Sequence, residues 1–256
     1  MPKQIQPIDM YPRYDELRIN SKGIRKLFYK LLPIPLHTFY PLRHEIPVAL
    51  LRFLSSRTRR RYRGKRDLLV NVGAGSNGKP GWVNIDIVKA PGINCLYDCR
   101  KKLPLPDDSV KGIFCEHFFE HLDYTEEVPV FLSECHRVLK AGGIVRVIVP
   151  DVEKYLRAYC EEGWETLVKL RPLREGKTDR WLLKPRYRTK MELLNVVFRQ
   201  GWEHKYAYDY QTLEFLLHRY GFSVVQQQRF GESLMKELCI DWPDRASESL
   251  YVDALK

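Results

Sequence analysis

The chain has no run of eighteen apolar residues, so no membrane-spanning helix is expected. Its first residues, MPKQIQPIDMYPRYDELR, hold no continuous apolar core, and no signal peptide is expected there. The six cysteines (95, 99, 115, 135, 160 and 239) contain no C-x-x-C pair. Cys115 and Cys135 fall in apolar patterns and read as core residues. A reduced, cytoplasmic setting is the simplest expectation. Internal repeats are absent. Acidic residues are scarce at the start: residues 1–66 hold 4 Asp and Glu against 16 Lys and Arg, whereas residues 67–256 hold 28 against 27. The net charge of +11 therefore sits in the N-terminal segment, as a localised interaction surface beside a neutral domain.

Ser21–Leu32 has the spacing of an amphipathic helix, with Ile24, Leu27, Phe28, Leu31 and Leu32 on one side and Pro33 and Pro35 beyond its end. Val48–Leu54 predicts a second short helix. Arg57–Arg66, RTRRRYRGKR, reads as an exposed linker or loop. Strands are then expected at Leu68–Val72, Trp82–Ile87, Ile93–Tyr97, Val110–Cys115, Ile144–Val149, Phe222–Phe230 and Ser249–Leu255. Helices are expected at Glu126–Leu139, ended by Gly142-Gly143, at Asp151–Tyr159, and after a cap at Asp209 with Gly221 as the stop. Arg171–Lys190 is rich in proline and arginine and breaks the pattern as a basic insertion. Strands alternating with helices argue for a parallel α/β sheet.

The chemistry starts at Gly73-Ala-Gly75-Ser-Asn-Gly78, a G-x-G-x-x-G at the end of an apolar strand. Glycines permit positive φ and close approach of a ligand to backbone. Asp86, at the next strand's tip, can accept from two ribose hydroxyls at once. A nicotinamide dinucleotide site needs a full helix between the third glycine and the acid, about 20 residues on. Gly78 and Asp86 are eight residues apart with Pro80-Gly81 between them, so the dinucleotide reading is poorly supported.

Asn71, Gly73, Gly75, Gly81, Trp82, Asn84 and Asp86 together resemble the class I S-adenosylmethionine-dependent methyltransferases, most closely a small bacterial group with a shortened first helix. The resemblance runs on through Asp98, the LPLPDDSV loop at 103–110, Glu116-His117-Phe-Phe-Glu120-His121-Leu122, and residues 134–143. It continues through Val149-Pro150-Asp151, Gly201 to Asp209 and Gly221-Phe222, covering residues 67–256. It implies a Rossmann-like fold: a mostly parallel seven-stranded sheet with helices on both faces, plus the basic helical segment at residues 1–66. By the same resemblance Gly73, Ala74 and Gly75 line the methionine part of S-adenosylmethionine. Asp86, with Ile87 beside it, holds the ribose, and Asp98 and Cys99 border the adenine. Glu116 and His117 border the sulfonium and the acceptor.

A hydroxyl acceptor would also need a base. His117 and His204 are the candidates put forward, with His121 and Asp151 behind them. No resident metal is expected, although His117-Phe-Phe-Glu120-His121 is literally the H-x-x-E-H of a zinc hydrolase. A non-catalytic cofactor-binding scaffold is the other rival. The acceptor is expected to be a small molecule or saccharide, and the cations of residues 171–190, with Trp181 and Tyr187, suggest an anionic one beneath a lid. Trp202, His204 and Tyr206 are further candidates to face it. Residues 22–66 suit peripheral contact with an anionic membrane, while no RNA-binding motif supports nucleic acid.

Overall fold

The computed structural model describes residues 55–170, 189–200 and 203–256, with five more between 45 and 51. The helix expected at residues 21–32, most of that at 48–54, Trp202 and residues 171–188 of the basic insertion lie outside the described residues.

Seven strands form one sheet: β1 (Leu68–Val72), β2 (Val83–Asp86), β3 (Cys95–Leu96), β4 (Val110–Glu116), β5 (Leu139–Pro150), β6 (Val224–Gln228) and β7 (Ser249–Leu255). Their order is β3-β2-β1-β4-β5-β7-β6, and β7 alone runs against the direction of the other six. The register sets Val72 beside both Ile85 and Cys115, and Cys115 beside Val147. The residues that follow β1, β2 and β4 therefore leave the sheet along one edge, where open parallel sheets bind ligands.

One face carries Val70, Val72, Ile85, Ile113, Cys115, Val145 and Val147, all buried. It packs beneath α1 (Ser55–Tyr62), α2 (Glu127–Val138) and the later helix Tyr210–Arg219. On α2, Val128, Phe131, Leu132, Cys135 and Val138 form the inward stripe at helical spacing. The opposite face, with Phe114, Ile144, Ile148 and Tyr251, is closed by Met235, Leu238 and Ile240 around a 3-10 turn at Lys236–Leu238. Gly112 makes this possible, because a Cβ there would lie 2.8 Å from the Met235 sulfur. Three more helices, α3 (Val152–Cys160), α4 (Glu165–Leu170) and α5 (Lys190–Arg199), share a separate small core of Tyr155, Leu167, Leu193, Leu194 and Val197. The helix Tyr210–Arg219 is α6, capped by Asp209 through the Thr212 N–H at 2.9 Å. No helix among the described residues is long and apolar enough to cross a membrane.

The crossover from β1 to β2 contains no helix. Asparagines supply its hydrogen bonds instead. Asn84 accepts from the Lys79 N–H and donates to the Lys79 carbonyl, both at 2.8 Å, and Asn71 donates to the Asn77 carbonyl at 3.2 Å. Gly78, third glycine of the motif, packs on backbone: a Cβ there would lie 2.5 Å from the Gly92 carbonyl oxygen. Its role is close chain packing.

Three expectations are corrected. Residues 57–62 of the expected loop are helical, because Tyr62 is buried in the main core and arginine is a good helix former. Gly142-Gly143 does not end α2, which stops at Leu139 with extended backbone and enters β5 directly. The glycines lie in a bulge of β5, where the register with β4 shifts and Gly142 adopts φ +74°. The third strand is shorter than expected, reduced to Cys95–Leu96.

Candidate active site

The glycine turn is fixed from two sides. Gly73 has φ +65°, and an added Cβ would lie 2.6 Å from Phe118 Cβ, so the loop after β4 presses directly on it. Gly75 has φ +51° and open space where a side chain would be. Asp86 joins this turn to β2: one carboxylate oxygen accepts the Gly75 N–H and the other the Val88 N–H, each at 2.8 Å. Each oxygen keeps a further lone pair, and the side chain is only partly buried. Ile87 beside it is also half-buried.

Asp98 follows β3 but is turned inward. It is buried and accepts from the Arg100 Nε at 2.9 Å and the Arg100 backbone N–H at 3.0 Å, and Arg100 also pairs with Glu45. Cys99 is buried as well, and burial pushes its thiol up. Both residues shape the β3 tip from within the protein.

At the end of β4, Glu116 faces a small cavity of about 100 Å³ bordered by Gly73, Ala74, Lys79, Asp241, Trp242 and Pro243. Burial raises the Glu116 carboxyl, opposed by the Trp242 N–H that it accepts at 2.9 Å. Asp241 is held by Arg146, a fully buried guanidinium that reaches both its oxygens, at 2.9 and 2.7 Å, and Asp253 at 2.9 Å. The cavity wall is thereby tied into β5 and β7.

His117 has φ +50°, and both of its ring nitrogens are engaged. Nδ1 pairs with Glu120 Oε1 at 3.1 Å and Nε2 with Ser249 Oγ at 2.9 Å. This leaves it poorly placed as a general base; it locks the β4 tip to β7. His204 also converges on Glu120, with Nε2 at 3.9 Å from Oε1. Its Nδ1–H donates to the Val197 carbonyl at 2.6 Å, and burial pushes its pKa down to about 4 against the pull of Glu120. Glu120 is itself buried, which works to raise its pKa, but the His117 hydrogen bond and the surrounding imidazoles hold it at about 2. Its backbone carbonyl accepts from Lys205 N–H at 2.8 Å and Tyr206 N–H at 3.3 Å, drawing the 203–208 segment onto the turn.

The H-x-x-E-H reading fails on this geometry. Residues 119–121 form a 3-10 turn, not an α-helix, and the two histidines diverge: His117 to Ser249, His121 to an edge contact with His204, ring centres 4.8 Å apart. Glu120, Lys79, Asp241 and Trp242 were not among the candidates from sequence. Glu120 stood inside a quoted motif, whereas the 240–243 segment carries no periodic or glycine signal.

Residues 86–147, from the tip of β2 into β5, match the family model described as "Methyltransferase domain". These residues form part of a methyltransferase domain. A comparison with curated proteins finds no match. Similar solved structures include a SAM-dependent methyltransferase from Archaeoglobus fulgidus, 19% identical, covering 91% of this chain and 100% of that one with a TM-score of 0.46. Another is the 1,6-didemethyltoxoflavin-N1-methyltransferase of Burkholderia thailandensis with bound S-adenosylhomocysteine, 12% identical, covering 87% and 91% with a TM-score of 0.44. The Aquifex aeolicus SAM-dependent methyltransferase is 17% identical, covering 78% and 88% with a TM-score of 0.39.

The residues present fit the donor. The chain offers an Asp86 carboxylate with free lone pairs beside an open Gly75, and a desolvated Glu116 carboxylate beyond Gly73. S-adenosylmethionine brings an already activated methyl group on a sulfonium whose leaving group is a neutral thioether. The protein's own task is to bind, to exclude water and to align the acceptor in line.

Proposed function

We propose that this chain is a class I S-adenosylmethionine-dependent methyltransferase that modifies a heteroatom of a small molecule or saccharide carrying an anionic group. The carrying observation is the exposed Trp242 ring at the cavity wall, 39% accessible, with the Glu248-paired Arg245 guanidinium 5.8 Å from its centre and Lys79 on the same cavity. An aromatic face with cations beside it suits a ring bearing a carboxylate or phosphate. In this reading Gly73, Ala74 and Gly75 cradle the methionine part of the donor, Asp86 takes the ribose hydroxyls, and Ile87 lies at the adenine end, which Asp98 and Cys99 support from within the protein. Glu116 faces the positive end of the donor, and His117 is a positioning residue. His204 keeps Nε2 free of hydrogen bonds among the described residues.

We also propose peripheral attachment of a cytoplasmic enzyme to an anionic membrane through residues 22–66. Support comes from α1, where Arg57, Arg59, Arg60 and Arg61 are exposed while Tyr62 anchors the helix on the core.

The acceptor reading is tested by methyl transfer from labelled S-adenosylmethionine to matched pairs of anionic and neutral ring compounds, mono- and oligosaccharides included. Label is expected to favour the anionic member of a pair, and Lys79→Ala is expected to raise KM for it with little change in kcat. Equal transfer to both members, or transfer to macromolecules alone, would contradict the proposal.

A further inference from the structure

Among the described residues, one group of three metal-ligating side chains comes together: Glu120, His121 and His204, whose ligating atoms all lie within 4.8 Å of one another. We propose that these residues bind a divalent transition-metal ion, zinc before others, through two imidazoles and one carboxylate.

The first support is an orphaned atom. Glu120 is 2% exposed, and its Oε2 has no hydrogen-bond partner among the described residues. A buried carboxylate oxygen left unpaired is costly, and a cation would satisfy it. The other oxygen, Oε1, is held by His117 Nδ1 at 3.1 Å, and His117 in turn by Ser249. That chain fixes the carboxylate while leaving Oε2 uncommitted.

The second support is the tautomer of His204. Its Nδ1–H is spent on the Val197 carbonyl at 2.6 Å, so the lone pair of the neutral ring is on Nε2, the atom on the Glu120 side. Metal-binding imidazoles are oriented in this way, by giving the other ring N–H to a carbonyl or carboxylate. His121, partly exposed, meets the His204 ring edge-to-face. A tetrahedral zinc with bonds of about 2.0–2.1 Å holds its ligands about 3.4 Å apart. The present spread closes by a shift of about 1 Å or a little more, which the partly exposed His121 can supply by rotation.

Donor chemistry selects the ion. Two imidazoles with one carboxylate suit zinc and neighbouring transition metals, whereas magnesium and calcium ask for an oxygen cage. Three protein ligands also leave a position open. Use of that position to hold an acceptor oxygen rests on the methyl-transfer reading; binding of the ion does not. This site is not the H-x-x-E-H arrangement, since His117 supports the carboxylate and is not a ligand.

The test uses the full chain, stripped with chelator and titrated with zinc by calorimetry, then with cobalt for its visible absorption. One equivalent of zinc is expected, with at least tenfold weaker binding in His121→Ala and in His204→Ala, and unchanged binding in Cys160→Ser and His136→Ala. Cobalt should give ligand-field bands that are lost in His121→Ala, and magnesium should not compete. His121 is partly exposed, so its variant keeps the test valid even where a buried His204 variant fails to fold. No zinc uptake by the folded chain, or uptake unchanged in His121→Ala, overturns the site. S-adenosylhomocysteine binding is followed on the same samples. Its loss with zinc binding intact would sink the methyl-transfer reading and leave the metal site standing.

Discussion

The Asp86 carboxylate accepts the Gly75 N–H at 2.8 Å, so the acid at the tip of β2 and the glycine turn after β1 form one rigid unit. A second bond to the Val88 N–H fixes the other oxygen. Such charge-assisted bonds are roughly twice as strong as neutral ones. Asp86→Asn keeps the side-chain shape and removes the charge. It is expected to weaken S-adenosylhomocysteine at least tenfold by calorimetry while moving the thermal midpoint only slightly. Unchanged affinity would remove Asp86 from the donor site.

Two glycines two residues apart should behave differently. Gly73→Ala meets both left-handed backbone and Phe118, 2.6 Å from the new Cβ. Strain and overpacking together predict a loss of about 3 kcal/mol. Gly75→Ala meets the backbone strain alone, about 1 kcal/mol, because nothing lies within 4 Å. Urea midpoints of the two variants measure the difference, and equal losses would contradict the packing of Phe118 on the turn.

Arg146 is fully buried between Asp241 and Asp253. Removing one partner of a buried ionic cluster costs about 3–5 kcal/mol, because the remaining charges lose their compensation. Arg146→Met is expected to lower the urea midpoint accordingly. It should also weaken donor binding in the folded protein, since Asp241 and Trp242 form the cavity wall. Loss of stability without loss of affinity would separate the wall from the site.

His204 gives a pH dependence of defined sign. Burial holds its folded pKa at about 4, below the ordinary imidazole value of 6.5. Between these values the unfolded chain binds more protons, so stability falls as pH falls, by up to about 1.4 kcal/mol per pH unit. Glu120, held low at about 2 against its usual 4.5, adds loss of the same sign at lower pH. In metal-free protein, urea midpoints from pH 7.5 to 4.5 should decline, and His204→Asn should flatten the decline between pH 6.5 and 4.5.

What was legible in the sequence was local. Continuous apolar runs located β1 and β4, and β7 matched its expected Ser249–Leu255. The α2 stripe and the cap at Asp209 follow from side-chain chemistry within one turn. The short spacing from Gly78 to Asp86 pointed away from a dinucleotide, and the crossover indeed lacks a helix. The errors came where charge masked packing or where contacts are distant. Seven cations in ten residues concealed one buried tyrosine at 62. Paired glycines marked a bulge as readily as a helix end. The 240–243 wall and the gathering of three histidines on Glu120 depend on residues up to 132 positions apart, which no local pattern encodes.

The most direct measurement is a crystal structure of the full chain with S-adenosylhomocysteine. The account predicts ribose hydroxyls on Asp86, the amino-acid tail over Gly73–Gly75 and the thioether near Glu116. Ligand bound away from this sheet edge, or a folded chain that takes up none, would contradict it.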